Sequence, residues 1–294
     1  LKIIFFALKG DNFNGNKFAE KAIKDGCSFA VVDEKEFATN DKFILVDDVL
    51  GTLQNLAKHH RTLLNIPIIG ITGTNGKTTS KELINAVLSS EKCCYATKGN
   101  FNNHIGVPLS ILEITSSHEI AIIEMGANHI GEIAFLCNIS QPIFGVITNI
   151  GKAHLEGFGS FESVIKAKSE LYNYIQKNNG NVFVNNEAEL LIELADNIRK
   201  TTYGKNGDYK GSIASNTPFV SVQFGENSII SNLIGDYQFY NIMLAISVGK
   251  YFEITDKNIK KAIESYTPKN NRSEIIKTKS NTIILDSYNA NPSS

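Results

Sequence analysis

A glycine-rich turn between Ile68 and Thr79 carries the strongest chemical signal in the sequence. The stretch reads Ile-Ile-Gly-Ile-Thr-Gly-Thr-Asn-Gly-Lys-Thr-Thr: an apolar run, a turn and the start of a helix-like segment. Backbone N–H groups of such a turn, with the positive end of the following helix, can cradle phosphates; Lys77 would meet the terminal phosphates and the Thr78 hydroxyl would face Mg²⁺. The usual triphosphate loop has glycine where this sequence has Ile71. We therefore predict a variant loop that binds a nucleoside triphosphate, rather than an incidental glycine turn.

Two further candidate residues follow strand-like runs. Glu124 closes the apolar run Ile120–Ile123, and His154 lies beyond the next such run. Because open α/β sheets bind ligands beyond the carboxyl ends of their strands, we expect both side chains near the phosphates. A buried carboxylate needs a counter-charge, which a metal ion would supply to Glu124. The alternatives are a helix-capping or ion-paired Glu124 and a His154 that is merely exposed or hydrogen-bonded.

Lys168 lies on the apolar side of a predicted helix that opens at Ser160. The apolar residues of this helix recur at helical spacing: Phe161, Val164, Ile165, Leu171, Tyr172 and Ile175. A lysine on that stripe should have a lowered pKa, because desolvation disfavours the ammonium; its neutral amine could act as a nucleophile or accept CO₂ as a carbamate. The alternative is a lysine with a buried stem whose ammonium reaches water.

The elements that must position these residues are predicted to be α/β. Before residue 65, short strand-like runs alternate with helix-like stretches such as Val49–Leu63, which indicates a small N-terminal α/β domain. After Pro67, apolar strands alternate with helices, which is typical of a parallel sheet covered on both faces. Short alternating strands between Thr202 and Ile234 predict a small antiparallel sheet, followed by a helix over Tyr240–Tyr251.

The chain is predicted to contain three segments. A proline at position 67 marks the first boundary, because the residue before proline resists helix formation. The polar stretch Pro268–Arg272 reads as a linker, and Ile275 onward reads as the first strand of a further domain. The predicted domains are therefore residues 1–64, 65–267 and 268–294.

Composition excludes several classes of protein. Twenty-nine Lys and Arg residues against thirty Asp and Glu leave a net charge of -1, so no basic excess indicates binding to nucleic acid or to an anionic membrane. The apolar runs fall far short of the roughly 20 residues needed to cross a bilayer. Four irregularly spaced cysteines indicate neither a disulfide scaffold nor a CxxC zinc site, and favour reduced thiols in a cytoplasmic protein.

Five stretches together resemble one enzyme family. Gly73-Thr-Asn-Gly-Lys-Thr-Thr79 is similar to the ATP loop of the Mur ligases, the ATP-dependent amide-forming enzymes of peptidoglycan precursor synthesis. Four other stretches resemble the branch that adds D-Ala-D-Ala: Phe5–Gly10, Asn100–Pro108, Glu124–Asn128 and Asp286–Pro292. The first of these four is shared with the preceding, diamino-acid-adding ligase. The resemblance covers nearly the whole chain.

The resemblance implies a fold and a set of site residues. The fold is an N-terminal UDP-substrate-binding domain, a central P-loop-type parallel-sheet ATPase domain and a C-terminal Rossmann-like domain. Catalytic roles fall to Lys77, Glu124, His154 and Lys168. ATP would be bound by Gly73, Thr74, Asn75, Gly76, Lys77, Thr78, Thr79, Tyr237 and Asn241. Two Mg²⁺ ions would be held by Thr78, Glu124, His154 and Lys168 as its carbamate. Substrates would meet Asn102, Asn103, Asn128, Arg272, Asp286, Asn289 and Asn291.

One departure from the family concerns the adenine side of the site. The family usually reads Gly-x-His-Asn before the asparagine that corresponds to Asn241, whereas this chain has Gly235-Asp-Tyr-Gln238. Stacking by Tyr237 could replace the histidine on adenine. The hydrogen bonds that Gln238 makes are left open by the sequence.

The resemblance also implies a reaction. UDP-MurNAc-tripeptide would be activated by ATP as an acyl phosphate, and D-Ala-D-Ala would then form the amide; a monomer is expected. Because the sequence opens at Leu1 without methionine and halts after a strand-like run, we expect a fragment truncated at both ends that ligates poorly or not at all by itself. The alternatives are a diamino-acid-adding Mur ligase, a folylpolyglutamate-synthase-like ligase and a nucleotide-binding module without catalysis.

Overall fold

The computed structural model describes residues 3–151, 155–268, 274–278 and 280–285. The chain divides into two compact units, one up to Leu63 and one from Leu64 onward.

The first unit is a three-stranded parallel sheet with helices. Its strands have the order β1-β4-β5, and β2 and β3 pair as a short antiparallel hairpin. The bounds are β1 Ile4–Phe6, β2 Lys9–Gly10, β3 Phe13–Asn14, α1 Ala19–Lys24, β4 Phe29–Val32, β5 Phe43–Leu45 and α2 Val49–Leu63, with 3₁₀ turns over Gly15–Phe18 and Lys35–Phe37. Helix α2 buries Val49, Leu53, Ala57 and Arg61. This spacing of four places one face of the helix inward, so the bounds predicted for α2 are confirmed.

The second unit is built on a seven-stranded sheet in which all pairs are parallel. The strand order is β12-β11-β10-β9-β6-β8-β7. The bounds are β6 Ile68–Thr72, β7 Cys94–Ala96, β8 Ile120–Glu124, β9 Phe144–Ile147, β10 Asn181–Asn185, β11 Arg199–Gly204 and β12 Tyr209–Lys210. Every residue of β6, β8, β9 and β10 is buried, as expected for strands covered on both faces. The predicted fold class is confirmed.

Helices cover this sheet, and a small antiparallel sheet lies beside it. The helix bounds are α3 Lys77–Leu88, α4 Gly106–Leu112, α5 Glu132–Ser140, α6 Leu155–Phe158, α7 Phe161–Lys177, α8 Glu189–Leu194, α9 Gln238–Tyr251 and α10 Asp256–Ser265. The small sheet contains β13 Ser212–Ser215, β14 Ser221–Phe224 and β15 Asn227–Ile230, in that order. Side chains of α3, α9, α10 and both sheets share one hydrophobic core.

The antiparallel sheet begins later than the sequence predicts. Thr202 to Gly204 belong to β11, which pairs in parallel with β10, and Tyr203 within it is 1% exposed. The alternation that suggested an antiparallel strand is therefore that of a strand near the edge of the parallel sheet. Helices α8 and α10 were also not anticipated; α10 is an amphipathic helix that buries Ile259, Ala262 and Ile263.

Two short strands follow the second unit's last helix. β16 Glu274–Lys277 and β17 Thr282–Leu285 pair as an antiparallel hairpin. The functional division into residues 1–64, 65–267 and 268–294 stays a prediction. Among the described residues, no helix combines the length and the apolar character needed to cross a membrane.

Candidate functional site

The glycine-rich turn joins β6 to α3 and has the geometry of a phosphate-binding loop. Gly73 and Gly76 have φ values of 143° and 78°, a region that favours glycine. A Cβ on Gly73 would collide with the side chain of Thr148, so a larger residue there would distort the turn. The Lys77 ammonium donates to the carbonyl oxygens of Gly73 (2.8 Å) and Thr74 (2.9 Å), which draws the side chain back over the turn.

The segment after β9 fixes the shape of this turn. Thr74 N donates to Asn149 O, and Asn75 N donates to Asn149 Oδ1, both at 3.0 Å. The Thr148 hydroxyl donates to Asn75 O at 2.6 Å, and Gly151 N donates to the Thr74 hydroxyl at 2.9 Å. Neutral hydrogen bonds from main-chain, hydroxyl and amide groups therefore hold the loop. They can form because β6 and β9 are neighbouring strands that end at the same edge of the sheet.

Glu124 lies at the end of β8, directly beside this loop. Its register partner on β6 is Ile71, and the residue is 1% exposed. The carboxylate accepts from the Thr78 hydroxyl (3.0 Å to Oε2) and from Asn102 Nδ2 (3.0 Å to Oε1). A carboxylate next to a loop hydroxyl is a donor set that suits Mg²⁺.

The composition of the site fits a cation shared with phosphate. Within the described ranges, no three His, Cys, Asp or Glu side chains come close enough to hold a metal ion by themselves. An ion on Glu124 and Thr78 would therefore complete its oxygen ligands with phosphate and water, as Mg²⁺ commonly does.

Sequence reasoning missed Lys81, a lysine with no solvent exposure. Its ammonium donates to Thr97 O at 2.6 Å and pairs with Glu82 Oε1 at 3.0 Å and Glu124 Oε2 at 3.8 Å. Glu124 is thus partly ion-paired, in line with the alternative that the sequence left open. The sequence does contain a pattern that indicates the inward position of Lys81. Residues 77, 81, 84 and 88 recur at helical spacing and so share one face of α3.

Lys168 faces inward from α7. The helix is capped by the Ser160 hydroxyl, which accepts from Ser163 N at 3.2 Å, and Lys168 is 3% exposed. Burial, reinforced by the positive charge of Lys77 and opposed by Glu132 and Glu170, lowers the pKa of Lys168 to about 7.

The Lys168 ammonium has few polar neighbours among the described residues. It lies 3.5 Å from Ala127 O and 5.6 Å from the centre of the Phe158 ring. With a pKa of about 7, a substantial fraction of the amine is in its neutral, nucleophilic form near neutral pH, and the predicted inward position is found.

One cavity of about 1040 Å³ brings most of the predicted site residues together. It is lined by Gly73, Thr74, Asn75, Gly76, Lys77, Thr78, Thr79, Asn102, Asn103, Glu124, Asn128, Lys168, Tyr237 and Asn241. His104, Thr148, Asn149 and Asn185 also line it and were not among the predicted residues. Its size is in the range of cavities that hold a drug-sized or larger ligand.

Several of these residues are engaged within the protein. Asn103 Oδ1 accepts from Gly106 N at 2.8 Å, at the start of α4. Asn241 is 9% exposed; its Oδ1 accepts from the Ser80 hydroxyl (3.0 Å) and its Nδ2 donates to Gln238 Oε1 (2.8 Å). Gln238 therefore orients Asn241, while Tyr237 is 56% exposed at the cavity.

Five predicted site residues lie outside the described residues. They are His154, Arg272, Asp286, Asn289 and Asn291. Their roles stay predictions.

Comparison with known proteins identifies one enzyme family. The Mur ligase middle domain family matches residues 71–249. The UDP-N-acetylmuramoyl-tripeptide–D-alanyl-D-alanine ligase of Bacillus subtilis is 37% identical over 99% of this chain, which spans 65% of that protein's length.

Solved structures agree with this match. MurF from Acinetobacter baumannii superimposes with a TM-score of 0.86 at 29% identity, covering 99% of this chain and 66% of that one. MurF ligase from Thermotoga maritima, solved in complex with ADP, gives a TM-score of 0.84 at 28% identity, covering 100% of this chain and 70% of that one.

Proposed function

The chain belongs to the Mur ligase family, and we propose that it acts within an ATP-dependent ligase that joins D-Ala-D-Ala to UDP-MurNAc-tripeptide. One observation carries the proposal: Lys77 of the phosphate loop, the buried Glu124 carboxylate and the inward-facing Lys168 line the same cavity. The name of the Bacillus subtilis relative supports this choice of substrates.

In this proposal the loop between β6 and α3 binds the ATP phosphates. Backbone N–H groups at the start of α3 face phosphate oxygens, and Lys77 leaves its carbonyl partners to neutralise the terminal phosphate. Tyr237, exposed at the cavity, stacks on the adenine ring in place of the family's histidine. The ADP complex of the Thermotoga maritima relative supports nucleotide binding by this fold.

Magnesium would be held by the groups at the edge of the sheet. Mg²⁺ supplies positive charge that stabilises the transferring phosphoryl group. Thr78 and Glu124 would hold one ion, with His154 contributing. Lys168 would contribute to a second ion after its neutral amine has added CO₂ to form a carbamate, a reaction that burial of the amine favours.

The chemistry that this arrangement would perform is amide formation by carboxylate activation. The terminal carboxylate of UDP-MurNAc-tripeptide attacks the γ-phosphorus of ATP, so that an O–P bond forms, the bridging P–O bond breaks and ADP is released. The amine of D-Ala-D-Ala then attacks the acyl phosphate carbonyl, and inorganic phosphate leaves. Water must be kept from the acyl phosphate during this step, because it would hydrolyse the activated acid.

The remaining alternatives differ in substrate or in catalysis. A diamino-acid-adding ligase would share the phosphate loop and Glu124, but the relative of 37% identity carries the D-alanyl-D-alanine name. A non-catalytic nucleotide-binding module would not need a neutral lysine inside the cavity. We further propose that the protein is cytoplasmic, because ATP and a UDP-linked substrate are both cytoplasmic metabolites, and that it is a monomer.

The proposal is tested by product formation in the protein that carries this sequence. Incubation with Mg²⁺, ATP, UDP-MurNAc-tripeptide and D-Ala-D-Ala should yield UDP-MurNAc-pentapeptide and one ADP per amide, measured by mass spectrometry and coupled ADP assay. Replacing D-Ala-D-Ala with a diamino acid, and the tripeptide with the corresponding dipeptide, should yield no amide. Amide formation only in the second mixture would assign the neighbouring ligase, and nucleotide binding without amide in either would assign the non-catalytic module.

A further inference from the structure

One wall of the cavity is a short segment between β8 and α5. Gly126, Ala127, Asn128, Ile130 and Gly131 all line the cavity. The carbonyl oxygen of Ala127 is the hydrogen-bond acceptor 3.5 Å from the Lys168 ammonium. The position of this segment therefore sets the surroundings of the Lys168 amine.

The segment ends where α5 begins, at a residue whose side chain cannot cap the helix. Gly131 is the N-cap residue of α5 with φ 95°, and glycine has no side chain to accept a hydrogen bond. Glu170, which lies on α7 and is 39 residues further along the chain, supplies the acceptors instead. Its Oε1 accepts from Gly131 N at 2.6 Å and its Oε2 accepts from Ala134 N at 2.9 Å.

These two N–H groups are the ones that a capping box satisfies. In a capping box the N-cap side chain accepts from the N3 amide, and the N3 side chain accepts from the N-cap amide. Here Gly131 is the N-cap and Ala134 is N3, so a single carboxylate from another helix makes both bonds. A carboxylate at the positive end of a helix is also favoured electrostatically.

The same segment is tied at a second point. Glu132 Oε2 accepts from Asn128 N at 2.6 Å and from His129 N at 3.1 Å. Burial opposes ionisation of Glu132, but the hydrogen bonds from these amides outweigh it and hold the pKa of the carboxyl below its usual range. Glu132 thus folds the segment on itself, whereas Glu170 attaches it to α7.

Glu170 and Lys168 share α7 but point in different directions. Residues two positions apart in an α-helix are separated by about 200° around the axis, so Lys168 enters the cavity while Glu170 reaches the start of α5. We propose that Glu170 is a positioning residue: by accepting from Gly131 and Ala134 it fixes the segment 126–131 against α7 and so sets the position of Ala127 O and Asn128 relative to the Lys168 amine. As a contribution to catalysis, this inference rests on the proposed ligase function.

The test uses Glu170→Gln with Glu91→Gln as a matched control. Glutamine keeps the size of the side chain but replaces one acceptor oxygen with an NH₂ group, which repels an N–H donor. Glu91 makes an equivalent contact away from the cavity, since its Oε1 accepts from the N-cap amide of α10, Thr255 N (3.0 Å), and from Asn258 Nδ2 (2.9 Å). Both substitutions therefore remove a carboxylate that caps a helix from another element.

Three measurements separate positioning from general stability. In Glu170→Gln, amide hydrogen exchange should become faster in residues 126–136 and stay unchanged in residues 73–79, and kcat for amide formation should fall about 10- to 100-fold while the affinity for Mg²⁺-ADP is retained. Glu91→Gln should speed exchange only at the start of α10 and leave kcat unchanged. Glu170→Asp, which keeps both acceptor oxygens on a shorter stem, should recover part of kcat.

The outcomes bear on the inference and on the proposed function separately. Unchanged exchange in residues 126–136, or a loss of kcat no greater than in Glu91→Gln, would overturn the positioning role. Loss of Mg²⁺-ADP affinity together with kcat would likewise contradict it, because the phosphate loop makes its own contacts. Absence of amide formation in the unsubstituted protein refutes the proposed function instead, and the exchange data still decide whether Glu170 holds the segment.

Discussion

The helix that follows the phosphate loop and the helix that carries Lys168 each bury one lysine, but in opposite surroundings. Lys81 on α3 lies between two carboxylates, with Glu82 at 3.0 Å and Glu124 at 3.8 Å. In the described part of the chain, Lys168 on α7 has no carboxylate at salt-bridge distance, and its hydrogen-bond acceptor is a carbonyl oxygen at 3.5 Å.

This difference separates a structural lysine from a reactive one. The buried Lys81 side chain is ion-paired with Glu82 and Glu124, so its nearest charged neighbours are carboxylates. A buried amine without such partners loses its proton more readily, and the pKa of Lys168 is lowered to about 7 by burial and by the charge of Lys77. Burial alone therefore does not identify a functional lysine; the charges of its neighbours decide.

The largest expected effect is on catalysis. Lys168→Met should lower kcat for amide formation about 100- to 1000-fold, the range seen when a group that stabilises the transition state is removed. Addition of a short carboxylic acid should restore part of the rate, by standing in for the carbamate. Lys166→Met, on the exposed side of the same helix, is the control and should keep its activity; equal losses in both variants would contradict the role of Lys168.

The two buried lysines should affect stability with opposite signs. Lys81→Met leaves the Glu124 carboxylate without its charged partner and should lower the free energy of unfolding by about 3–5 kcal/mol. Lys168→Met, measured at pH 8 without Mg²⁺ or bicarbonate, removes an amine that is protonated mainly in the unfolded state and should raise that free energy. Urea unfolding of both variants checks this, and shifts in the same direction would show that the two surroundings are equivalent.

The pH dependence of stability should report Lys168 directly. The pKa of Lys168 is about 7 in the folded protein against an ordinary value of 10.5, so between these pH values the unfolded state binds the extra proton. Stability should therefore rise with pH across this window, by at most about 4–5 kcal/mol. The difference between unsubstituted protein and Lys168→Met isolates this contribution in urea unfolding at several pH values, and parallel profiles would refute the lowered pKa.

The smallest expected effect comes from a neutral contact on the same helix as Lys81. Ser80→Ala removes the hydroxyl that donates to Asn241 Oδ1 at 3.0 Å. The loss of one buried neutral hydrogen bond should lower the free energy of unfolding by about 1 kcal/mol. A loss as large as that of Lys81→Met in urea unfolding would mean that charge burial is not what distinguishes Lys81.

Much of this arrangement follows from local pattern. The strand β6, the turn after it and α3 are encoded in consecutive residues, and the helical spacing of apolar residues in α7 placed Lys168 inward. Glu124 was recognised because a carboxylate that ends a buried apolar strand requires a partner.

Other features depend on contacts between distant segments. Lys81 meets Thr97 O, and Glu170 meets Gly131 N. Neither pair is adjacent in sequence, so only the packing of α3 and α7 reveals them. The membership of Thr202 to Gly204 in β11 has the same origin, because pairing with β10 overrides the local alternation.

The most direct test of the central claim is a crystal structure with Mn²⁺ and a non-hydrolysable ATP analogue, read through the anomalous signal of the metal. The account predicts phosphates on the backbone of residues 73–79 and a manganese peak in contact with the Thr78 hydroxyl and the Glu124 carboxylate, with the Lys168 side chain facing the same end of the nucleotide. A nucleotide bound away from this turn, or a metal peak that touches neither Thr78 nor Glu124, would contradict it.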